Sequence, residues 1–208
     1  MKVYKYFPLN EEKRITWLLK MIEDSKVWFS VYNQLNDPME GIYYTFEFSK
    51  KVLEAFKTEK QKQLIGCFGR SPKSTTLWRY YAAGYNGCCV EFDVADKIGN
   101  LSKKSNVEYV NWDMFEKPID PNEDALFSIL FRKLKAWNTE NEYRIVVKKE
   151  GNDNYVKIGN TTAVYLGSGV KKSTVSKIKI TTDQKRIPLY KVYPDRKKEF
   201  ESLNPQIF

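Results

Sequence analysis

The residues best suited to chemistry lie in Lys135-Ala136-Trp137-Asn138-Thr139-Glu140-Asn141-Glu142-Tyr143-Arg144-Ile145. Read as a strand, this stretch puts Glu140, Glu142 and Arg144 on one face and Tyr143, Ile145 and Val147 on the other. Two carboxylates two residues apart can divide labour, one orienting a substrate hydroxyl while the other stabilises developing positive charge. The same pattern describes a solvated sheet face on which Arg144 pairs with a glutamate. Alternation alone leaves both readings open.

A second polar face occurs in Gly87-Cys88-Cys89-Val90-Glu91-Phe92-Asp93, where Cys89, Glu91 and Asp93 share a side. Before it, Leu77 to Tyr85 is dense in aromatics that can stack on a base or nicotinamide ring, with Arg79 available to a phosphate. Helix-spaced aromatics more often build core, and Trp78 and Tyr81 are expected mainly to pack. Gly167-Ser168-Gly169, followed by Lys171 and Lys172, can hold a phosphate on backbone amides or be a plain tight turn. Asn36-Asp37-Pro38 signals a turn that Asp37 braces through its own backbone. Glu91, Asp93 and Glu142 around a divalent ion would make a hydrolase or nuclease.

Composition narrows these options. Histidine is absent from all 208 residues, which removes Ser-His-Asp and Cys-His machinery and every His-containing zinc site. Chemistry falls to Asp, Glu, Tyr, Lys, Ser or Thr. Cys88 and Cys89 are neighbours on a strand and point to opposite faces, so they and Cys67 read as small buried thiols in a reducing cytosol. No apolar run approaches the ~20 residues of a membrane helix, and the alternating Met1 to Tyr6 lacks a signal-peptide core. A cytoplasmic protein with no membrane partner is expected. The net charge of +9 favours anionic partners such as nucleotides, nucleic acid or acidic proteins. Its spread along the chain gives specific DNA recognition little support.

The elements that must position these groups follow from periodicity and breakers. Strands are expected at Val3 to Phe7, Lys26 to Ser30, Leu64 to Phe68, Gly87 to Asp93, Glu108 to Trp112 and Asn141 to Val147. Further strands are expected at Tyr155 to Ile158, Ala163 to Leu166 and Leu189 to Tyr193. Helices are expected after an Asn10 cap, over Glu47 to Lys62 and Thr75 to Ala83, from Pro121 to about Ala136 under an Asp120 cap, and briefly after Ser173. This order predicts a single α+β domain over residues 1–208, with a mixed or antiparallel sheet core and packed helices.

Several segments together resemble a bacterial family catalogued as a domain of unknown function, some members of which are linked to abortive-infection phage resistance. The resemblance rests on Tyr4-Lys5-Tyr6, Trp28-Phe29-Ser30, Asn36-Asp37-Pro38-Met39-Glu40, Trp78 to Ala82 running into Gly87 to Asp93, and Trp137 with Glu140, Glu142, Tyr143 and Arg144. Family members commonly carry a histidine where this chain has Tyr80. The family layout is similar to that of ADP-ribosyltransferases, which implies NAD- or nucleotide-dependent ribosyl transfer or hydrolysis. On that resemblance Glu142 is the catalytic carboxylate, Glu140 its partner, Lys5 or Tyr6 contacts the dinucleotide, and Ser30 supports Glu142. Asn36, Asp37, Trp78, Tyr81 and Arg144 complete the implied substrate-binding set, with NAD as substrate. The alternative is a non-catalytic module that binds nucleotide, nucleic acid or protein through a basic surface.

Overall fold

The computed structural model describes residues 1–37, 39–194 and 200–203. In chain order the elements begin with β1 (Lys2–Pro8), α1 (Glu12–Asp24), β2 (Lys26–Trp28), β3 (Tyr44–Thr45), α2 (Lys50–Gln61), β4 (Gln63–Phe68) and α3 (Thr75–Tyr80). There follow β5 (Gly87–Val94), β6 (Leu101–Asn106), β7 (Glu108–Val110), α4 (Asp113–Glu116), β8 (Pro118–Ile119), α5 (Glu123–Leu130) and β9 (Arg132–Leu134). The last are β10 (Tyr143–Lys148), β11 (Tyr155–Lys157), β12 (Gly159–Gly167), α6 (Lys172–Gln184), β13 (Leu189–Val192) and β14 (Phe200–Ser202). The architecture is α+β with antiparallel and mixed sheets, and the chain divides into two compact units.

The first unit comprises Met1–Val27, Phe68–Ile98 and Val156–Phe208. Its sheet runs β1-β5-β12-β13-β14, antiparallel except for the β12–β13 pair. Alternation along β1 buries Tyr4 and Tyr6 against Trp78, Ala82, Cys89 and Tyr165. Trp78 is fully enclosed, stacks on Tyr85 at 5.2 Å, meets the edge of Tyr6 at 5.4 Å and donates its indole N–H to Pro72 O at 2.8 Å. A buried indole with its one donor satisfied is a core residue. Gly167 and Gly169 lie against the Tyr85 turn: a side-chain carbon on Gly167 would collide with Tyr85 O, which accepts from Gly169 N–H at 3.0 Å. These glycines thus have a packing reason independent of any phosphate.

The second unit comprises Trp28–Cys67 and Gly99–Tyr155. Its three-stranded sheet has the order β4-β10-β6, and β7 pairs with β9 in parallel. Phe56, Ile65, Leu126, Phe127, Ile129, Leu130, Phe131 and Val146 form its core. Strand β10 is buried on both faces from Tyr143 to Val147, so the expected solvated row of charge does not exist.

Four expectations need correction. The helix predicted to run to Ala136 ends at Leu130; the chain then forms β9 and a 3-10 turn over Lys135–Glu140. Its cap is Asn122, whose side chain accepts from Ala125 N–H at 2.9 Å, rather than Asp120. Helix α1 starts after Glu11, not Asn10, and α6 is a full helix of 13 residues. Strand β6, Leu-Ser-Lys-Lys-Ser-Asn, went unforeseen because its polar sequence lacks the alternation that marks a half-buried strand.

Candidate functional site

The charged residues singled out in the sequence meet inside the second unit. Glu140 ends the 3-10 turn, Asn141 follows in the left-handed conformation, and Glu142 leads directly into β10. Glu140 is therefore not on the strand. Alternation does put Glu142 and Arg144 on one side, where Arg144 Nε donates to Glu142 Oε1 at 2.6 Å and Nη2 to Oε2 at 3.1 Å. The remaining guanidinium donors reach Leu130 O at 2.6 Å and Glu40 Oε1 at 2.8 Å. Lys133, brought in by β9, binds Glu140 at 2.7 Å, Glu40 at 3.1 Å and Glu142 at 3.4 Å. All five side chains are buried.

This cluster sets three carboxylates against two cations. Buried charge is costly unless balanced, and a proton shared with one carboxylate restores the balance. The electrostatics distinguish Glu142 from Glu40. Burial opposes ionisation of Glu142, but the Arg144 guanidinium and Lys133 overcome it and hold the carboxyl down at about 2. Burial pushes the Glu40 carboxyl up, against the pull of Arg144. Burial likewise opposes the charge on Lys133, yet Glu142 and Glu40 keep its ammonium firmly protonated. Glu40 is thus the carboxyl that burial biases toward its protonated form.

Glu40 has a second feature: its Oε2 is buried and has no hydrogen-bond partner. The same is true of Asp37 Oδ2, while Asp37 Oδ1 accepts from Met39 N–H at 2.9 Å and closes the expected turn. Both residues line a cavity of about 450 Å³, together with Tyr32, Asn33, Leu35, Gly41, Ile42, Tyr43 and Lys60. Buried polar atoms are nearly always paired, so a cavity lined by two acidic residues, each with one buried carboxyl oxygen lacking a partner, is the candidate ligand site. The wall is anchored at three points. Arg144 and Lys133 hold Glu40, Lys60 Nζ donates to Gly41 O at 2.8 Å, and Arg132 Nη2 donates to Ile42 O at 2.9 Å. Gly41 has a φ of +75° and leaves only 2.9 Å between an added Cβ and the Tyr32 ring, so glycine is required there.

The remaining predicted residues fall as follows. Asn36 is exposed beside Asp37, and Ser30 is half-buried, its backbone bridging Ile65 at 3.0 and 2.8 Å. Both belong to the second unit, with Asp37, Glu140, Glu142 and Arg144. Lys5, Tyr6, Trp78 and Tyr81 belong to the first. There Lys5 Nζ lies over the Phe68 ring at 5.6 Å, Tyr6 donates its hydroxyl to Ser71 O at 2.6 Å, and Tyr81 packs on the aromatic core. Glu91 and Asp93 are engaged too: Glu91 accepts from Thr162 and Tyr165 and pairs with Lys2, while Asp93 pairs with the N-terminal amine. Among the described residues no group of three or more Cys, Asp and Glu side chains is placed to hold a metal ion, and no helix is long and apolar enough to cross a membrane.

Sequence reasoning missed Glu40, Lys133 and Lys60 as site residues. Glu40 was visible only as the end of the Asn-Asp-Pro-Met-Glu segment. Lys133 was hidden by the over-long helix, and Lys60 looked like one more lysine in a charged helix. Compared with known proteins, the chain matches no family model, no curated protein and no solved structure.

Proposed function

We propose that the second unit binds a nucleotide or related N-glycoside in the Asp37–Glu40 cavity and cleaves or transfers at its ribosyl carbon. The observation that carries this reading is a cavity lined by Asp37 and Glu40, each of which holds one buried carboxyl oxygen without a hydrogen-bond partner. Cleavage breaks the C1′–N bond with both electrons leaving on nitrogen. For a nucleoside-type substrate the departing nitrogen takes a proton from Glu40, and Asp37 stabilises the oxocarbenium-like ribosyl centre. Water or an acceptor hydroxyl then adds to C1′ and gives up its proton to Glu40. With NAD the nicotinamide leaves neutral and needs no proton, so Glu40 keeps its proton and donates to a ribosyl hydroxyl, and the attacking water or hydroxyl gives its proton to Asp37.

The reading keeps the ADP-ribosyltransferase-like chemistry implied by the sequence but moves the reacting carboxyl. Both oxygens of Glu142 are occupied by Arg144, and the second also contacts Lys133, which suits a residue that positions Glu40 through Arg144. A cytoplasmic setting, where NAD and nucleotides are abundant, belongs to the same proposal. Release of nicotinamide from NAD and of free base from nucleotides, measured for wild type and Glu40→Gln, tests it. Turnover that survives Glu40→Gln undiminished overturns the role of Glu40. Binding without turnover would instead support the non-catalytic nucleotide-binding alternative.

A further inference from the structure

Lys60 is a lysine in an unusual place. It sits near the C-terminus of α2 with only 5% of its surface exposed, yet it lines the open cavity. Its ammonium forms no ion pair with a carboxylate among the described residues. Its neighbours are Gly41 O at 2.8 Å and the faces of Tyr32 and Tyr43, at 3.9 and 4.7 Å. Ring faces and one carbonyl compensate an ammonium less well than a carboxylate does. Burial, with Lys57 adding repulsion, brings Lys60 down to about 8. The other titratable groups lining the cavity are Asp37, Glu40 and the two tyrosines.

We propose that Lys60 is an amine nucleophile that forms a reversible imine with the aldehyde of an open-chain sugar, such as a pentose, held in this cavity. The lone pair on Nζ adds to the carbonyl carbon, and the proton that the nitrogen then sheds passes to the carbonyl oxygen, giving a carbinolamine. Glu40 protonates the hydroxyl, which leaves as water, and the nitrogen lone pair closes the C=N bond. Addition of water reverses the sequence and frees the lysine. Asp37 and Asn33 on the same wall offer hydrogen-bonding groups to the sugar hydroxyls. The inference stands without the N-glycoside reading, because it concerns capture of a carbonyl and not cleavage of a C–N bond.

The test uses ribose with cyanoborohydride, which reduces an imine to a stable secondary amine, followed by peptide mapping. At pH 7.5 an amine near 8 holds on the order of 100-fold more of its neutral form than an ordinary lysine near 10.4, and its lower basicity takes back part of that advantage. Labelling of Lys60 is therefore expected about 10-fold or more ahead of exposed lysines, and to be lost in Lys60→Arg. Equal labelling across the surface, or none at Lys60, overturns the proposal. The wild-type map decides this even if Lys60→Arg fails to fold. Imine trapping without base or nicotinamide release would leave this inference standing while the N-glycoside reading fails.

Discussion

Arg144 grips both carboxylate oxygens of Glu142, at 2.6 and 3.1 Å, from two residues further along the chain on the same side of β10. The pair is buried, and the guanidinium extends past it to Glu40. Glu142 therefore acts on the cavity at one remove, by fixing the group that fixes Glu40.

That relationship predicts opposite profiles for two conservative variants. Glu142→Gln leaves Arg144 and Lys133 short of a carboxylate in a buried site and should cost about 3–5 kcal/mol of stability. Glu40→Gln removes the surplus acidic group and should change stability by no more than about 1 kcal/mol. Turnover per folded molecule should reverse the order, falling about 100-fold or more for Glu40→Gln and less than 10-fold for Glu142→Gln. Urea denaturation and nicotinamide or base release, measured on the same preparations, check both. A stable but inactive Glu142→Gln would return the reacting role to Glu142.

Acid should loosen the protein through the same residue. The folded-state value of Glu142 is about 2, against an ordinary 4.5. A carboxyl lowered by folding stabilises the native state fully above its unfolded value and loses that contribution as pH falls toward the folded one. The window is thus pH 4.5 down to 2, with a contribution on the order of 3 kcal/mol. Glu40, raised by burial, works with the opposite sign but above pH 4.5, so what it returns to stability on acidification is complete before the Glu142 loss begins. Urea midpoints taken between pH 2.5 and 6 should fall for wild type and flatten for Glu142→Gln.

Thiol reactivity offers an independent check on the packing. Cys88 and Cys89 are fully buried and burial pushes both thiols well up, so neither should react with an aromatic disulfide reagent in the native protein. Cys67 is partly exposed and hydrogen-bonded toward Glu142. One thiol should titrate in the folded state and three after unfolding. Faster modification of Cys67 in Glu142→Gln would report loosening of the ion cluster.

Much of the first unit could be read from the chain because its strands carry local signals. Gly87 to Asp93 and the alternating Tyr4 and Tyr6 needed only period-two patterning and a proline stop. Of the aromatics in Leu77 to Tyr85, Trp78 proved to be core with Tyr81 and Tyr85 packed against it, while Tyr80 stays exposed. The site was less legible. Alternation correctly paired Glu142 with Arg144, yet nothing local says that both faces of β10 are covered, and burial of that charge comes from Glu40 and Lys133, 102 and 9 residues earlier than Glu142. The failure at Ala136 has the same origin. Phe127, Leu130, Phe131 and Leu134 keep helical spacing, but tertiary pairing of Arg132–Leu134 with β7 overrides it.

Lys60 should mark the stability curve at alkaline pH. A lysine near 8 in the folded state and 10.5 unfolded releases its proton more easily when folded, so its contribution is greatest above 10.5 and is lost as pH falls through 8. Wild type should accordingly gain stability between pH 8 and 10.5, on the order of 2 kcal/mol after allowance for solvent screening at the open cavity. Lys60→Met keeps the aliphatic stem against Tyr32 and Tyr43 and has no proton to lose, so its curve should lack that rise and lie at or above wild type near neutral pH. The difference between the two urea-midpoint profiles isolates Lys60 from the other lysines and tyrosines. Parallel profiles would mean that the ammonium is as well solvated in the fold as in the open chain. In that case the cavity would gain no ready nucleophile from it.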